Sequence, residues 1–434
     1  MKNHEYESET KTAIGDYEDH STSVCLEWLA QLACLSRDQL IRRFRDEYVS
    51  LPGTPCVSLI TQFWANSYND KNRYRDIPCL DKTRVRLKCS GNDYIHANWI
   101  DSPEMPGRII MTQAPMVNTA NDFWRMVMGE KVNLIVALTK VAEKGVEKSF
   151  AYWPMEMGPK GVMKFQNYVI RKTGHQNMPG CCISILEVTN TDNNERLKVK
   201  HLLYLDWPDH KVPKCTHRFM ALVKLCAQLM RNPISVSNVN VTLIHCSAGV
   251  GRSGTLTALL MLSSAVDKGL APNVQNTVKC LREQRAMAVQ GLEQYAFIYR
   301  SVMEMIWVKE DMSEEVQTNA HKQIDLLRSM TTKSTCDLSQ LKPRNVFMSD
   351  KINVVEQPSP LKRPLGQSKG APALRERQRS PSISAQRKRR DSGLQAIKNI
   401  FANKLFQKGR RRSRTLPPPE RKMDKKDKKP PQSK

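Results

Sequence analysis

Val241 to Leu256 reads VTLIHCSAGVGRSGTL. VTLIHC is apolar and β-branched, which predicts a buried strand. SAGVGRSG is too small and flexible for a regular element and reads as a loop, and TLTALLMLSSAV follows with the composition of a helix. A strand, a glycine-rich loop and a helix N-terminus in that order build an anion site, because successive backbone N–H groups converge and the helix dipole adds positive charge. The same loop carries Cys246 at its start and Arg252 six residues on, and no other of the twelve cysteines has an arginine at that spacing.

A thiol placed in such a field is suited to act as a nucleophile, and Cys246 is the expected one. Arg252 supplies a planar fork matched to two phosphate oxygens, and Ser253 is expected to donate to the sulfur. Ser247, Ala248, Gly249, Val250 and Gly251 are then the residues whose backbone surrounds the anion. Two plainer readings compete. A nucleotide-binding loop is disfavoured because no Gly-Lys-Ser/Thr follows, and a simple glycine turn beside a buried cysteine is the weaker alternative.

A phosphate leaving an aryl oxygen departs faster when that oxygen is protonated, which calls for a carboxylic acid on a loop. YLDWPDHKVP offers Asp209, with Trp207 and Pro208 as stiff flanks and Pro213 as the end of the segment. Read alone, this is an ordinary aspartate in a proline-bounded turn.

IHCSAGVGRSGT together with WPDHKVP resembles the catalytic domain of the protein tyrosine phosphatases, the tyrosine-specific, cysteine-based family of the non-receptor type. Further blocks agree and occur in the family's order: KNRYRDI at 71–77, DYIHANWI at 93–100, MTQAPMVNTANDFWRMV at 111–127, AEKGVEKSFAYWP at 142–154 and VQGLEQYAFIY at 289–299. The resemblance implies an α/β fold with a highly twisted mixed β-sheet flanked by helices. It implies that Cys246 attacks phosphorus, Arg252 clamps the phosphoryl oxygens, and Asp209 protonates the tyrosine oxygen before acting as base toward water. Gln290 would position that water with help from Gln294. Tyr74 would stack on the substrate ring and set the pocket depth, and Asp76 would hold the substrate backbone. Glu143 and Lys148 would support Arg252 and the acid loop, while His245 and Ser253 would tune the thiolate. Ala114, His96, Lys211 and Gly291 depart from the usual residues, and none of these removes a reacting group. The rival reading is a catalytically weak or silent phosphotyrosine-binding module. A dual-specificity or lipid phosphatase is disfavoured by KNRYRDI, which shallow-pocket relatives lack.

Length and composition set the frame around this motif. The 434 residues are 40% hydrophobic, enough for a sizeable core, and carry a net charge of +25. Residues 331–434 hold 28 Lys and Arg against 8 Asp and Glu, leaving 40 against 35 for residues 1–330. The basicity therefore belongs to the tail. An acidic disordered N-terminus is expected over 1–20 and a helical segment, broken near Ser36, over 21–55. The phosphatase domain is expected over 56–310, a helical extension over 311–330, and a disordered basic tail over 331–434. No signal-like or membrane-length apolar run is found, which implies a cytoplasmic protein with reduced thiols. No CxxC or HExxH is present, so no metal and no cofactor are expected.

In the tail, Leu394, Ile397, Phe401 and Leu405 mark one face of a short amphipathic segment between basic clusters. An anionic membrane surface, a calmodulin-like partner or a nuclear import receptor would suit it, and specific nucleic-acid binding is not expected. A solvated tail with incidental clusters is the plain alternative. Ser392 and Ser413 follow arginine runs and suit a basophilic kinase, whose phosphate would weaken binding to anionic lipid. TLPPP at 415–419 could serve as a polyproline ligand.

Overall fold

The expected strand VTLIH forms as β11 (Val241–His245) and lies near the middle of a nine-stranded sheet. The computed structural model of the chain describes residues 24–88, 91–105, 107–208, 211–213, 215–234, 240–309 and 312–332. The expectations for 1–20 and for the tail from residue 333 onward, including its membrane, calmodulin-like and import-receptor partners, fall outside these residues.

In chain order the strands are β1 (Arg84–Arg86), β2 (Tyr94–Ile100), β3 (Arg108–Thr112), β4 (Val132–Ala137), β5 (Ala142–Glu143), β6 (Val146–Glu147), β7 (Val162–Phe165), β8 (Tyr168–Met178), β9 (Cys181–Asn190), β10 (Arg196–Tyr204) and β11. The large sheet runs β1-β2-β3-β11-β4-β10-β9-β8-β7, and β5 pairs with β6 as a separate hairpin. Strands β3, β11, β4 and β10 are mutually parallel, with antiparallel strands continuing on both sides, so the sheet is mixed. The register sets His245 opposite Thr112 on one neighbour and Ala137 on the other. The carboxyl ends of three parallel strands therefore meet at one edge, where open α/β sheets bind ligands.

The central strands are buried on both faces. Along β4, Leu134 and Val136 face one core and Ile135 the other, and a register shift between Val132 and Leu134 turns Val132 to the second core as well. The first core receives α1 (24–33), α2 (Arg37–Ser50), α5 (Thr216–Arg231), α6 (Gly251–Asp267), α7 (Val274–Gln284), α8 (Leu292–Lys309) and α9 (Glu314–Thr332). The short α3 (Thr61–Ala65) packs Phe63 into a separate small cluster, and the second core receives Phe123, Trp124 and Met126 of α4 (Ala120–Gly129) with Tyr152 and Trp153. No helix among the described residues is long and apolar enough to cross a membrane.

The break expected near Ser36 is a capping box: the Gln39 N–H donates to Ser36 Oγ at 3.3 Å and the Ser36 N–H to Gln39 Oε1 at 2.8 Å. Leu40, Phe44 and Tyr48 then face the core and pack with Tyr295 and Tyr299 of α8. α9 runs two residues past the expected end of the helical extension.

One expectation is corrected. SAGVGRSG is not loop throughout, because α6 begins at Gly251 and takes Arg252, Ser253 and Gly254 into its first turn. Gly254 must be small, because a Cβ there would stand 2.5 Å from the Val289 backbone nitrogen.

Candidate active site

Cys246 directly follows β11 and is 4% exposed, so the strand delivers the thiol to the sheet edge inside a closed loop. The Gly249 N–H donates to its sulfur at 3.2 Å. Gly249 has φ of 70°, and a Cβ at that position would overlap the Thr112 carbonyl, so both conformation and space demand glycine. Ala114 N–H donates to the Ser247 carbonyl at 3.0 Å, tying the loop to the end of β3.

Arg252 lies on the inner side of the first helical turn. Its Nη1 donates to the Leu138 carbonyl at 3.0 Å and to Glu143 Oε1 at 2.6 Å, and its Nη2 donates to Glu143 Oε2 at 2.7 Å. This fork-to-fork pair fixes the plane of the guanidinium. Burial pushes the Glu143 carboxyl up, but Arg252 and Thr139 outweigh it and hold the group below its ordinary value.

Tyr74 closes the rim, with its hydroxyl 2.8 Å from Ser247 Oγ, which donates to the Lys148 carbonyl at 3.0 Å. Lys148 thus enters the site through its backbone. Asp76 is exposed beside Tyr74. The segment is pinned by Arg73, whose side chain donates to the Ala114 and Pro115 carbonyls at 3.3 and 2.8 Å. On the opposite side, Gln290 and Gln294 both reach Gly251, where an added Cβ would meet Gln294 Nε2 at 2.9 Å and Gln290 Oε1 at 3.5 Å.

Trp207 is 6% exposed, packs edge-on against Phe219 at 5.1 Å, and donates from Nε1 to the Lys211 carbonyl at 2.7 Å. The segment carrying Asp209 is thereby anchored at both ends, with Val212 buried as well. Asp209 itself lies outside the described residues. Ser253 does not make its expected bond: Oγ is buried and has no hydrogen-bond partner among the described residues, and the sulfur accepts from Gly249 instead.

Three residues beneath the loop escaped the sequence reading. Arg285 is fully buried and donates to the Gly249 and Ala248 carbonyls at 3.2 and 3.1 Å, to Asn98 Oδ1 at 2.7 Å, and to His96 Nδ1 at 3.0 Å. A lone arginine in the small apolar run RAMAV was the available signal. His96 must keep its proton on Nε2, which donates to the Ile77 carbonyl at 2.9 Å. Burial and the Arg285 charge push its pKa down to about 3.

His201 and Tyr152 form the second device. His245 Nδ1 donates to the Cys246 carbonyl at 3.1 Å, so its Nε2 accepts from the Tyr152 hydroxyl at 2.6 Å. That hydroxyl in turn accepts from His201 Nε2 at 2.8 Å. Burial holds His245 down at about 4 and His201 down at about 3, so both rings are neutral. Trp153 stacks on His201 at 4.3 Å and fixes the outer end of the chain.

Among the described residues no group of three or more His, Cys, Asp or Glu is placed to hold a metal ion. What the arrangement can do is enclose a tetrahedral anion between a thiol, a ring of backbone N–H groups and a fixed guanidinium.

Comparison with known proteins agrees with this geometry. The family model described as protein-tyrosine phosphatase matches residues 68–304. The chain is 35% identical over 249 residues to tyrosine-protein phosphatase non-receptor type 9 of Homo sapiens, which covers 54% of this chain and 41% of that protein. It is 34% identical over 240 residues to tyrosine-protein phosphatase non-receptor type 20 of Rattus norvegicus, covering 55% and 54%. Tyrosine-protein phosphatase Lar of Drosophila melanogaster is 32% identical over 240 residues, 54% of this chain and 12% of that protein. The chain thus spans about half the length, or less, of these relatives. Because the matched span exceeds half of the chain and contains the whole strand, loop and helix around Cys246, the chain belongs to the protein-tyrosine phosphatase family.

Proposed function

We propose that this protein hydrolyses phosphotyrosine in proteins through a cysteinyl-phosphate intermediate. The observation that carries the reading is the buried thiol of Cys246 facing a loop whose arginine is locked by two bonds to Glu143. The Cys246 sulfur attacks phosphorus as the bond to the tyrosine oxygen breaks, and Asp209 gives its proton to that oxygen. Water held by Gln290 and Gln294 then attacks phosphorus, the S–P bond breaks, and Asp209 takes the water's proton. Arg252 and the loop N–H groups stabilise the equatorial oxygens in both steps.

Tyr74 selects substrate by depth, since a phosphoserine side chain is too short to reach a thiol beneath that ring. Asp76 holds the substrate backbone, and the Trp207 anchor lets the acid segment close over the bound group. The domain organisation that fits this reading is an acidic N-terminus, helices over 24–50, the phosphatase domain, a helical extension and a basic tail. Phosphotyrosine-containing proteins are its substrates and the cytoplasm its proposed location, with the tail directing it to a membrane surface or the nucleus.

The test is hydrolysis of a phosphotyrosine peptide by the full chain in EDTA and reductant. Turnover by wild type, with peptide binding but no turnover by Cys246→Ser, is the expected result. Binding without turnover by wild type would make the protein a phosphotyrosine-binding module.

A further inference from the structure

Residues 287–290 carry strain that the phosphatase chemistry alone does not explain. Met287 and Val289 have φ of 62° and 57°, a region that L-residues avoid and β-branched valine most of all. This segment leads directly into Gln290 and touches the phosphate loop, for Val289 N–H donates to the Val250 carbonyl at 3.1 Å.

Three consecutive carbonyls hold the segment in place. Arg282 donates to Ala288 O and Val289 O, both at 2.9 Å. The third bond comes from far away in sequence: the Tyr48 hydroxyl of α2 donates to the Gln290 carbonyl at 2.6 Å. Tyr48 is 2% exposed, and the Arg282 guanidinium lies 5.0 Å from its ring centre while also donating to the Pro52 carbonyl at 3.1 Å. Helix α2 is fastened at both ends of this contact. Glu47 accepts from Tyr295 and Tyr299 at 2.7 and 2.6 Å, and Ser50 Oγ accepts from Gln275 at 3.0 Å.

We infer that Tyr48 is a positioning residue for the second chemical step, and that α2, although outside the matched span 68–304, is part of the catalytic unit. The inference rests on the proposed role of Gln290 in orienting water. Tyr48 fixes the backbone from which the Gln290 side chain extends to Gly251, so its hydroxyl governs where water stands against the cysteinyl-phosphate. Formation of that intermediate uses Cys246, Arg252 and Asp209 and does not depend on Tyr48.

The experiment compares full-length wild type, Tyr48→Phe and a control, Tyr168→Phe, which also alters a buried tyrosine but on β8. p-Nitrophenyl phosphate serves as the probe in rapid-mixing and steady-state assays, with glycerol as competing acceptor. Tyr48→Phe should lower kcat about 3–10-fold while the first-turnover rate stays within about twofold of wild type. It should also accumulate cysteinyl-phosphate and pass a larger share of phosphate to glycerol, and Tyr168→Phe should do neither. Thermal unfolding of both variants separates a general loss of stability from this selective effect. Equal slowing of both steps, or an unchanged kcat and partition in Tyr48→Phe, would overturn the inference while wild-type activity still supports the function. A wild-type chain that forms no cysteinyl-phosphate would remove the proposed function and this inference with it.

Discussion

Three neutral, buried histidines surround the phosphate loop, and they make the fold sensitive to mild acid. His96, His201 and His245 are each no more than 1% exposed and titrate near 3, 3 and 4, against an ordinary value of 6.5. The folded protein therefore resists a proton that the unfolded chain accepts. Stability from this source is complete above about pH 6.5 and is lost as pH falls from there toward 4, because the unfolded state binds more protons throughout that window. At pH 5 each ring costs about 2 kcal/mol, or about 6 kcal/mol for the three, with a limiting slope of about 4 kcal/mol per pH unit. Domains of this kind are stable by about 5–15 kcal/mol, so a loss of about 6 kcal/mol removes a large share of the stability by pH 5 and unfolds the protein there only if its total lies at the low end of that range. Urea unfolding at steps of pH between 7.5 and 5 measures the slope. His201→Gln keeps a donor for Tyr152 but cannot titrate, so its slope should be lower by about 1.4 kcal/mol per pH unit. Equal slopes for wild type and variant, or stability that is flat between pH 7 and 5, would refute the reasoning.

Glu143→Gln keeps the shape of the Arg252 partner but sets an amide against one guanidinium nitrogen, and kcat/KM should fall about 100-fold, close to 3 kcal/mol. Steady-state kinetics on a phosphotyrosine peptide checks this, and a loss under threefold would mean that the pair does not orient Arg252. Gly249→Ala forces a Cβ onto the Thr112 carbonyl at positive φ and should cost about 2–4 kcal/mol of stability together with most activity. Thermal unfolding and the same assay would show it, and an unchanged melting temperature would contradict the geometry.

The features legible in the sequence are those whose cause is local. VTLIH, the glycines and Arg252 fall within twelve residues, so spacing alone announced a strand, an anion loop and a fixed cation. The helix-forming stretch after the loop was equally plain, yet its start was hidden, since Gly254 is chosen by contact with Val289 rather than by helix propensity. β8 was obscured because its second half, TGHQNM, is polar and largely solvent-facing. Arg285, His201, Tyr152 and Tyr48 stayed unread for a different reason. Their partners lie from 36 to 242 residues away, and a buried arginine or tyrosine looks like any other until the fold supplies its acceptors. Ser253 shows the converse, because proximity along the chain to Cys246 implied a bond that the first turn of α6 does not make.

Arg285 has a further consequence for how the protein gains and loses its site. The loop after Cys246 is held by the Arg285 guanidinium, which is itself joined to β2 through Asn98 and His96. Organising those backbone dipoles is thus an expense of folding, met once, and not of each turnover. An oxyanion arriving from solution then meets a loop already shaped, so its first encounter should not wait on a rearrangement of that loop. By the same linkage, heat or denaturant should remove anion binding and the tertiary fold in one transition, since the receptor shares its keystone with the core of the sheet.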